Sequence, residues 1–312
     1  MLSDRLDPAL RQFVAARTDL SSSVLGVVRD SLNQRRAEAA REVNTVGVDV
    51  ENRDVGSIPV RIYRGGPAPS PALIYCHSGA FVLGNLDTDH RQCVELARRA
   101  ACTVISVDYR LAPEHPYPAG LDDAATVLDW VAVNGSHLGI DAARLAVGGS
   151  SAGAALAALL AQRAADGTAP PVVFQLLHQP VLDDRRMPSK DEFVTTPGFD
   201  GPAVTQMWRH YAAGESVPAD AVPARADELG GVAGAFISCS ELDPLRDEAV
   251  DYALRLMWAG VATELHVFPG TCHGFDSLLP EWETSRQLFE LQGAALQRAL
   301  HHAASSRAMA AW

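Results

Sequence analysis

Leu145-Ala146-Val147-Gly148-Gly149-Ser150-Ser151-Ala152-Gly153-Ala154-Ala155-Leu156 is a short apolar run, then a glycine-flanked serine, then an alanine-rich stretch with helical character. Read as strand, sharp turn and helix, it places Ser151 at the tip of a G-x-S-x-G elbow. A serine on so tight a turn has a strained backbone, and side chains at 149 and 153 would collide with the neighbouring strand and helix, so both are glycine. The turn directs the Ser151 hydroxyl to a helix N-terminus, where free backbone N–H groups stabilise a developing anion. Taken alone, the five residues fit a plain strand-to-helix turn or a phosphate loop equally well. The rest of the chain decides between these.

Outward from the elbow, strands and helices alternate. Strand-like runs at 46–51 and 58–64 read as a hairpin, and further apolar strands fall at 71–76, 103–109, 144–148, 172–178, 235–240 and 263–268. Helical spacing covers 8–41, 87–100, 121–134, 152–165, 246–259 and 282–300. Short apolar strands alternating with helices predict a mostly parallel, eight-stranded central sheet covered by helices on both faces. Residues 183–230 break the rhythm with Pro188, Pro197, Pro202, Pro218 and Pro223 and many charges, far longer than an ordinary loop. This segment is expected to be an insertion that, with the N-terminal helices, covers the mouth of the site. Residues 303–312 are expected to fray.

Composition narrows the class. The chain has 312 residues, 47% of them hydrophobic, enough for a large core, and a formal net charge of −12. Such an acidic surface argues against nucleic acid and anionic membranes as partners. Lys190 is the sole lysine among 26 strong bases, which reads as the arginine bias of a GC-rich genome. Cys76, Cys93, Cys102, Cys239 and Cys272 are odd in number and form no C-x-x-C pair, so buried free thiols fit better than disulfides or a zinc site. The N-terminus lacks the apolar core of a signal peptide, and no uninterrupted apolar stretch reaches the ~18 residues of a membrane span. The expectation is a soluble cytoplasmic protein.

An elbow serine needs a base, an acid that orients the base, and donors for an oxyanion. Where the elbow serves catalysis, acid and base follow it in the order acid, then histidine. After one late strand comes Ser240-Glu241-Leu242-Asp243-Pro244-Leu245-Arg246-Asp247, and after the last comes Gly270-Thr271-Cys272-His273-Gly274-Phe275. Asp243 and His273 thus follow strand C-termini, where open α/β sheets place their sites. Rival acids are Glu241, Asp247 and Asp251; rival bases are His266, within a strand, and His301 and His302, on the terminal helix. Asp243-Pro244 suits a strand-to-helix turn, with the proline opening the helix. The loop after the third strand, His77-Ser78-Gly79-Ala80-Phe81, has small residues that let a backbone approach a substrate oxygen.

These motifs together resemble the bacterial hormone-sensitive-lipase-like family of serine carboxylesterases, of the α/β-hydrolase fold, over roughly residues 45–300. His77-Ser78-Gly79-Ala80 stands where that family has His-Gly-Gly-Gly, and Asp108-Tyr109-Arg110-Leu111-Ala112-Pro113-Glu114-His115-Pro116 matches its next motif without a gap. Gly149-Ser150-Ser151-Ala152-Gly153 stands for Gly-Asp-Ser-Ala-Gly, so Ser150 replaces an acid; Asp243-Pro244-Leu245-Arg246-Asp247-Glu248 and His273-Gly274-Phe275 match the acid and base motifs. The resemblance implies Ser151, Asp243 and His273 as catalytic residues and the N–H groups of Gly79, Ala80 and Ala152 as the oxyanion hole. It further implies a core of 46–182 and 231–302, and a helical cap from 1–45 and 183–230. Asp108, Arg110 and Glu114 would tie the sheet edge to loops.

The implied activity is hydrolysis of short- to medium-chain carboxylic esters through an acyl-enzyme, with no metal or cofactor, and with a homodimer as a common assembly in the family. Two other readings use the same fold. One is a deacetylase or amidase of a specific metabolite on the same triad. The other is a non-catalytic small-molecule binding protein, as in plant gibberellin receptors, which resemble the family but lack the working histidine. For the cap, the sequence offers Phe199, Met207, Trp208 and Tyr211 as an apolar pocket lining.

Overall fold

The computed structural model describes residues 2–214 and 216–309, with side chains over 4–214 and 216–301. Its strands are β1 (Asp49–Val55), β2 (Ile58–Arg64), β3 (Ser70–Cys76), β4 (Thr103–Val107), β5 (Ile140–Ser150), β6 (Phe174–His178), β7 (Gly234–Leu242) and β8 (Thr263–Cys272). They form one eight-stranded sheet in the order β1-β2-β4-β3-β5-β6-β7-β8. β1 and β2 pair antiparallel, as do β2 and β4, and every later pairing is parallel. The helices are α1 (Leu2–Arg5), α2 (Leu25–Arg41), α3 (His90–Ala100), α4 (Ala119–Leu138), α5 (Ala152–Ala165), α6 (Pro188–Glu192), α7 (Gly201–Ala212), α8 (Arg246–Trp258), α9 (Phe275–Leu278) and α10 (Glu283–Met309).

Burial follows from this layering. Every residue of β3 and β4 is buried, which a strand covered on both faces requires, and both read as continuous apolar runs. α5 is buried from Ala152 through Ala161. A helix enclosed on all sides cannot carry a polar face, and its alanines allow the backbone to lie close to the sheet.

Register brings the chemistry to one edge. Leu242 at the end of β7 pairs with Cys272 at the end of β8, past a local shift in the ladder at Ser240. The next residues, Asp243 and His273, therefore leave the sheet side by side. Ser150 at the end of β5 pairs with His178 of β6, and Gly149 with Cys76 of β3, so the Ser151 turn and the 77–83 loop leave the same edge.

The N-terminal segment departs from the continuous helical spacing of 8–41. A 3-10 turn covers Pro8–Phe13 and α2 begins only at Leu25. Between them lies Ser21-Ser22-Ser23, where local side-chain bonding competes with the helix: the Ser21 N–H donates to Asp19 Oδ1. α2 is then tied to the core by Arg29, whose guanidinium donates to the Val82 and Ala112 carbonyls and to both oxygens of Glu114. Arg110 grips Asp123 of α4 in the same two-pronged way. Glu114 and Arg110 thus act as the expected ties, whereas Asp108 meets its surroundings through its backbone N–H, which donates to the Pro59 carbonyl at 3.0 Å, and its side chain approaches His77 at 3.9 Å. α10 takes in residues 303–309 of the expected tail, and 310–312 lie outside the described residues.

The 183–230 segment carries α6, α7 and two 3-10 turns. Its anchor is Lys190, which has a structural role that compositional bias does not explain. The ammonium lies 2.7 Å from Glu248 Oε2 on α8 and donates to the Asp183 and Arg185 carbonyls at 2.5 and 2.9 Å. The fully buried Glu248 also accepts from the N–H groups of Leu182 and Asp183. Three donors on one compact head fit this nest, where a planar guanidinium does not. Lys190→Met strands a buried carboxylate and is expected to lower the unfolding free energy by about 3 kcal/mol. Arg186→Met removes an exposed pair with Asp191 and is expected to cost less than about 1 kcal/mol. Urea titration compares them, and equal small losses would contradict the anchoring role.

Candidate active site

The elbow is built by close approach. A Cβ on Gly153 would lie 2.0 Å from the Cys76 carbonyl oxygen, and one on Gly149 would lie 2.5 Å from that same oxygen. With neither Cβ present, the turn presses against the end of β3 and Ser151 adopts φ 54°, ψ −116°. That conformation costs on the order of 1–3 kcal/mol and persists only where surroundings fix it. The fixing bonds are Ser151 N–H to the His178 carbonyl at 2.8 Å and Val181 N–H to the Ser151 carbonyl at 3.1 Å.

Ser151, His273 and Asp243 are brought into one chain of hydrogen bonds. Ser151 Oγ lies 3.0 Å from His273 Nε2, and His273 Nδ1 lies 2.8 Å from Asp243 Oδ2. A carboxylate only accepts, so Nδ1–H donates to Asp243 and Nε2 is free to accept from the serine hydroxyl. Asp243 is fully buried, and its other oxygen accepts the Leu245 N–H at 2.8 Å. Pro244 sits within this turn, one residue before the N-cap of α8 rather than inside the helix. Burial works against the His273 imidazolium, but the charge and hydrogen bond of Asp243, with the fields of Asp276 and Glu248, prevail and raise its pKa.

The rival residues lie elsewhere. Asp247 accepts from the Ser189 N–H and from Arg246, and Glu241 accepts from the Gly270 N–H and from Arg5. Asp251 lies further along α8. His266 pairs with Glu264, and His301 meets the Ala100 carbonyl; the His302 side chain lies outside the described ones.

Beside Ser151 runs the loop after β3. Gly79 has φ 136°, and a Cβ there would lie 2.0 Å from the Leu83 carbonyl oxygen. Ala80 and Phe81 follow at φ 55° and 61°, left-handed conformations unusual for residues with side chains. The Gly79 carbonyl accepts from both Val82 and Leu83, which closes the turn. The N–H groups of Gly79, Ala80 and Ala152 have no acceptor among the described residues. Phe81 stacks on Tyr211 with ring centroids 3.7 Å apart, which holds the loop from the α7 side.

Several residues of this edge carry no signal of their own in the sequence. Asp89 precedes α3 without capping it. Instead it accepts from the N–H and hydroxyl of Ser78 and from the Tyr75 hydroxyl, so Ser78, where the family has glycine, gains a partner for its side chain. Gln179, at φ 45°, donates to Ser240 Oγ and accepts the Gly274 N–H at 2.7 Å, fixing the residue after His273. Buried His178 bridges Ser238 and Asp276. Each is a buried polar side chain, His178 and Gln179 at the end of β6 and Asp89 at the start of α3, and their partners become visible only once the chain is folded.

A cavity of about 450 Å³ opens onto Ser151 and His273. Phe199 lines it as expected, 5.0 Å from the His273 ring. Met207, Trp208 and Tyr211 do not line it; they are buried in the core, with Trp208 and Tyr211 packed against Phe81. α2 lines it through Leu32, Arg35, Arg36, Ala39 and Ala40, with Val43 just beyond the helix, so the cavity is more polar than the sequence suggested. Among the described residues, no helix is long and apolar enough to cross a membrane.

Comparison with known proteins agrees with this geometry. A family model described as the alpha/beta hydrolase fold matches residues 73–277. The chain is 37% identical to carboxylesterase NlhH of Mycobacterium tuberculosis over 313 residues, covering 95% of this chain and 97% of that protein. It is 38% identical over 240 residues to an ethyl acetate hydrolase of Pseudomonas putida, covering 73% of this chain and 74% of that one. The crystal structure of esterase LipW from Mycobacterium marinum superposes with a TM-score of 0.94 at 59% identity, over 96% of this chain and 97% of that one. The chain belongs to the α/β-hydrolase family, in its hormone-sensitive-lipase-like branch. It is a serine carboxylesterase acting on small-molecule esters, which sets aside the binding-protein alternative.

The electrostatics of His273 fix the sign of the pH response. A histidine acting as base must be neutral, so kcat/KM for an activated ester is expected to fall as pH drops through a pKa above the ordinary value of about 6.5. Asp243→Asn removes the largest field that raises it and is expected to move the limb to lower pH. A wild-type limb at or below 6.5, or a limb unmoved in the variant, would contradict the pairing.

Proposed function

We propose that Ser151 is the nucleophile, His273 the base and Asp243 its orienting acid, acting on esters with short to medium acyl chains. The observation that carries this reading is the Ser151–His273–Asp243 chain of bonds at 3.0 and 2.8 Å, ending at the floor of the cavity. Ser151 Oγ attacks the acyl carbon while Nε2 takes its proton. The carbonyl oxygen becomes an oxyanion beside the N–H groups of Gly79, Ala80 and Ala152. Each such donor is worth on the order of 3 kcal/mol in the transition state. The carbon–oxygen bond to the alcohol then breaks, the alcohol leaves with the proton from His273, and the acyl group stays on Ser151. Water, deprotonated by the same imidazole, releases the acid. Asp243 holds the tautomer and stabilises the imidazolium, without itself taking the proton.

The substrate range follows from the cavity. Its volume of about 450 Å³ lies low in the range of about 300–1,000 Å³ for ligand pockets. Each CH₂ buried there stabilises by about 0.8 kcal/mol until the space is full, after which overpacking costs energy. The ethyl acetate hydrolase among the relatives supports the short end. We read residues 1–45 and 183–230 as a cap on a core of 46–182 and 231–302, since α2 and Phe199 both face the cavity. Five buried free cysteines support a reducing, cytoplasmic setting.

A series of 4-nitrophenyl esters tests the range: kcat/KM is expected to rise from acetyl to butyryl or hexanoyl and to fall beyond about ten carbons. Highest specificity for sixteen-carbon esters, or activation at an oil–water interface, would overturn it.

The assignment of roles has its own test. Ser151→Ala is expected to lower turnover by about 10³-fold or more with the fold intact, and Ser150→Ala to leave most activity. Asp243→Asn is expected to cost about 10²- to 10⁴-fold in kcat, and Asp247→Asn far less. Equal losses for the two aspartates would move the acid to Asp247.

A further inference from the structure

Arg36 stands apart from the other arginines that line the cavity: Arg91 is held by Glu281, and Arg35 donates back to the Ser31 carbonyl of its own helix. Arg29, about two turns earlier on α2, is bonded to two carbonyls and Glu114. Arg36 lines the cavity that holds Ser151 and His273, and its Nη1 is buried with no hydrogen-bond partner among the described residues. Asp89 lines the same cavity and its field favours the guanidinium charge, but its oxygens accept from Ser78 and Tyr75 rather than from Arg36. Burial is the larger influence and works against that charge. An arginine does not escape by losing its proton, so a charged donor remains without an acceptor, the costliest state for a polar group.

We propose that Arg36 is a specificity-determining residue that selects esters carrying a neutral hydrogen-bond-accepting oxygen, an ether, ketone or second ester, at a distance from the scissile carbonyl. The proposal rests on the ester-hydrolase reading and adds the substrate's chemistry to it. The aliphatic linker between the two oxygens is accommodated by Leu32, Ala39, Val43 and Leu278, apolar residues of the same cavity. The preference is for a neutral oxygen because the three carboxylates that line that space, Asp87, Asp89 and Asp276, offset the three guanidiniums, Arg35, Arg36 and Arg91. The lining then offers no net positive charge to draw in a substrate carboxylate, while an uncharged acceptor still gains the Arg36 hydrogen bond. Arginine also suits the task better than lysine, because its fork of donors is fixed in a plane.

Isosteric pairs in which one CH₂ becomes oxygen isolate this bond. On the acyl side the pair is 4-nitrophenyl hexanoate and 4-methoxybutanoate; on the alcohol side it is butyl acetate and 2-methoxyethyl acetate. The quantity read is the ratio of kcat/KM, oxa over methylene, in wild type and in Arg36→Met, with burst titration counting folded enzyme. In at least one pair the ratio is expected to fall about tenfold in the variant, the worth of one charge-assisted hydrogen bond. The 4-nitrophenyl hemiglutarate, carrying a carboxylate, is expected to remain a poorer substrate than 4-methoxybutanoate. A fall smaller than about fivefold in both pairs overturns the assignment, and so does a preference for the hemiglutarate. If Arg36→Met does not fold, Arg36→Lys, which keeps the charge and loses the planar fork, is read in the same way. A wild-type enzyme that gives no burst with any ester defeats the esterase reading instead, whereas a normal burst with an insensitive ratio defeats only the role of Arg36.

Discussion

The carbonyl oxygens at the end of β3 occupy the space where side chains at 149 and 153 would begin. From this contact much of the site follows. The elbow can press against β3 only because both residues are glycine, and in doing so it sets Ser151 at a backbone conformation that an isolated chain avoids. The same contact brings the start of α5 beside the loop that leaves β3. It joins two distant parts of the sequence, Gly79 and Ala80 on one side and Ala152 on the other, whose N–H groups have no acceptor among the described residues. The strain is local and the bracing is not: the bonds that hold Ser151 come from β6 and the residues that follow it.

A second constraint is the ladder between β7 and β8. It ends with Leu242 opposite Cys272, so Asp243 and His273 need no long loop to meet. Around this pair the buried polar groups are almost all satisfied. Gln179 secures Gly274, His178 bridges Ser238 and Asp276, and Asp89 secures Ser78. Satisfied networks of this kind fix a single arrangement of the groups they join, whereas unpaired members destabilise. Other buried polar atoms without a partner, such as His77 Nε2 and Tyr211 Oη, lie on residues away from the cavity; among the described residues that line it, Arg36 Nη1 is the one such atom, and it points to a ligand rather than to the fold.

Ser151, Asp243 and His273 were legible in the sequence because each sits in a short motif immediately after an apolar strand, and strands of this kind announce themselves by composition. The eight strands, and α5 over 152–165, were legible for the same reason. Three further features were not, besides the buried polar side chains of Asp89, His178 and Gln179. The break between Pro8–Phe13 and α2 was hidden because the apolar spacing runs on through Ser21-Ser22-Ser23, where local hydrogen bonds win over helix formation. Lys190 looked like a relic of codon usage because its partners, Glu248 and two carbonyls, are adjacent to it only in the folded chain. In the sequence, Met207, Trp208 and Tyr211 are large and apolar and so suit a pocket lining. The fold uses them as core instead, behind Phe81, and gives the cavity wall to the less apolar α2.

The central claim is that strain and register together make one serine, Ser151, the reactive atom of the molecule. Covalent trapping tests it most directly. The protein is treated with an activated phosphonate ester, which a serine nucleophile displaces to leave a stable adduct, and the site is then mapped by peptide mass spectrometry. One phosphonyl group on Ser151 per chain is the result the account predicts, with labelling suppressed when His273 is replaced by alanine. An adduct on Ser150 or another side chain, or labelling of Ser151 that persists unchanged without His273, would contradict it.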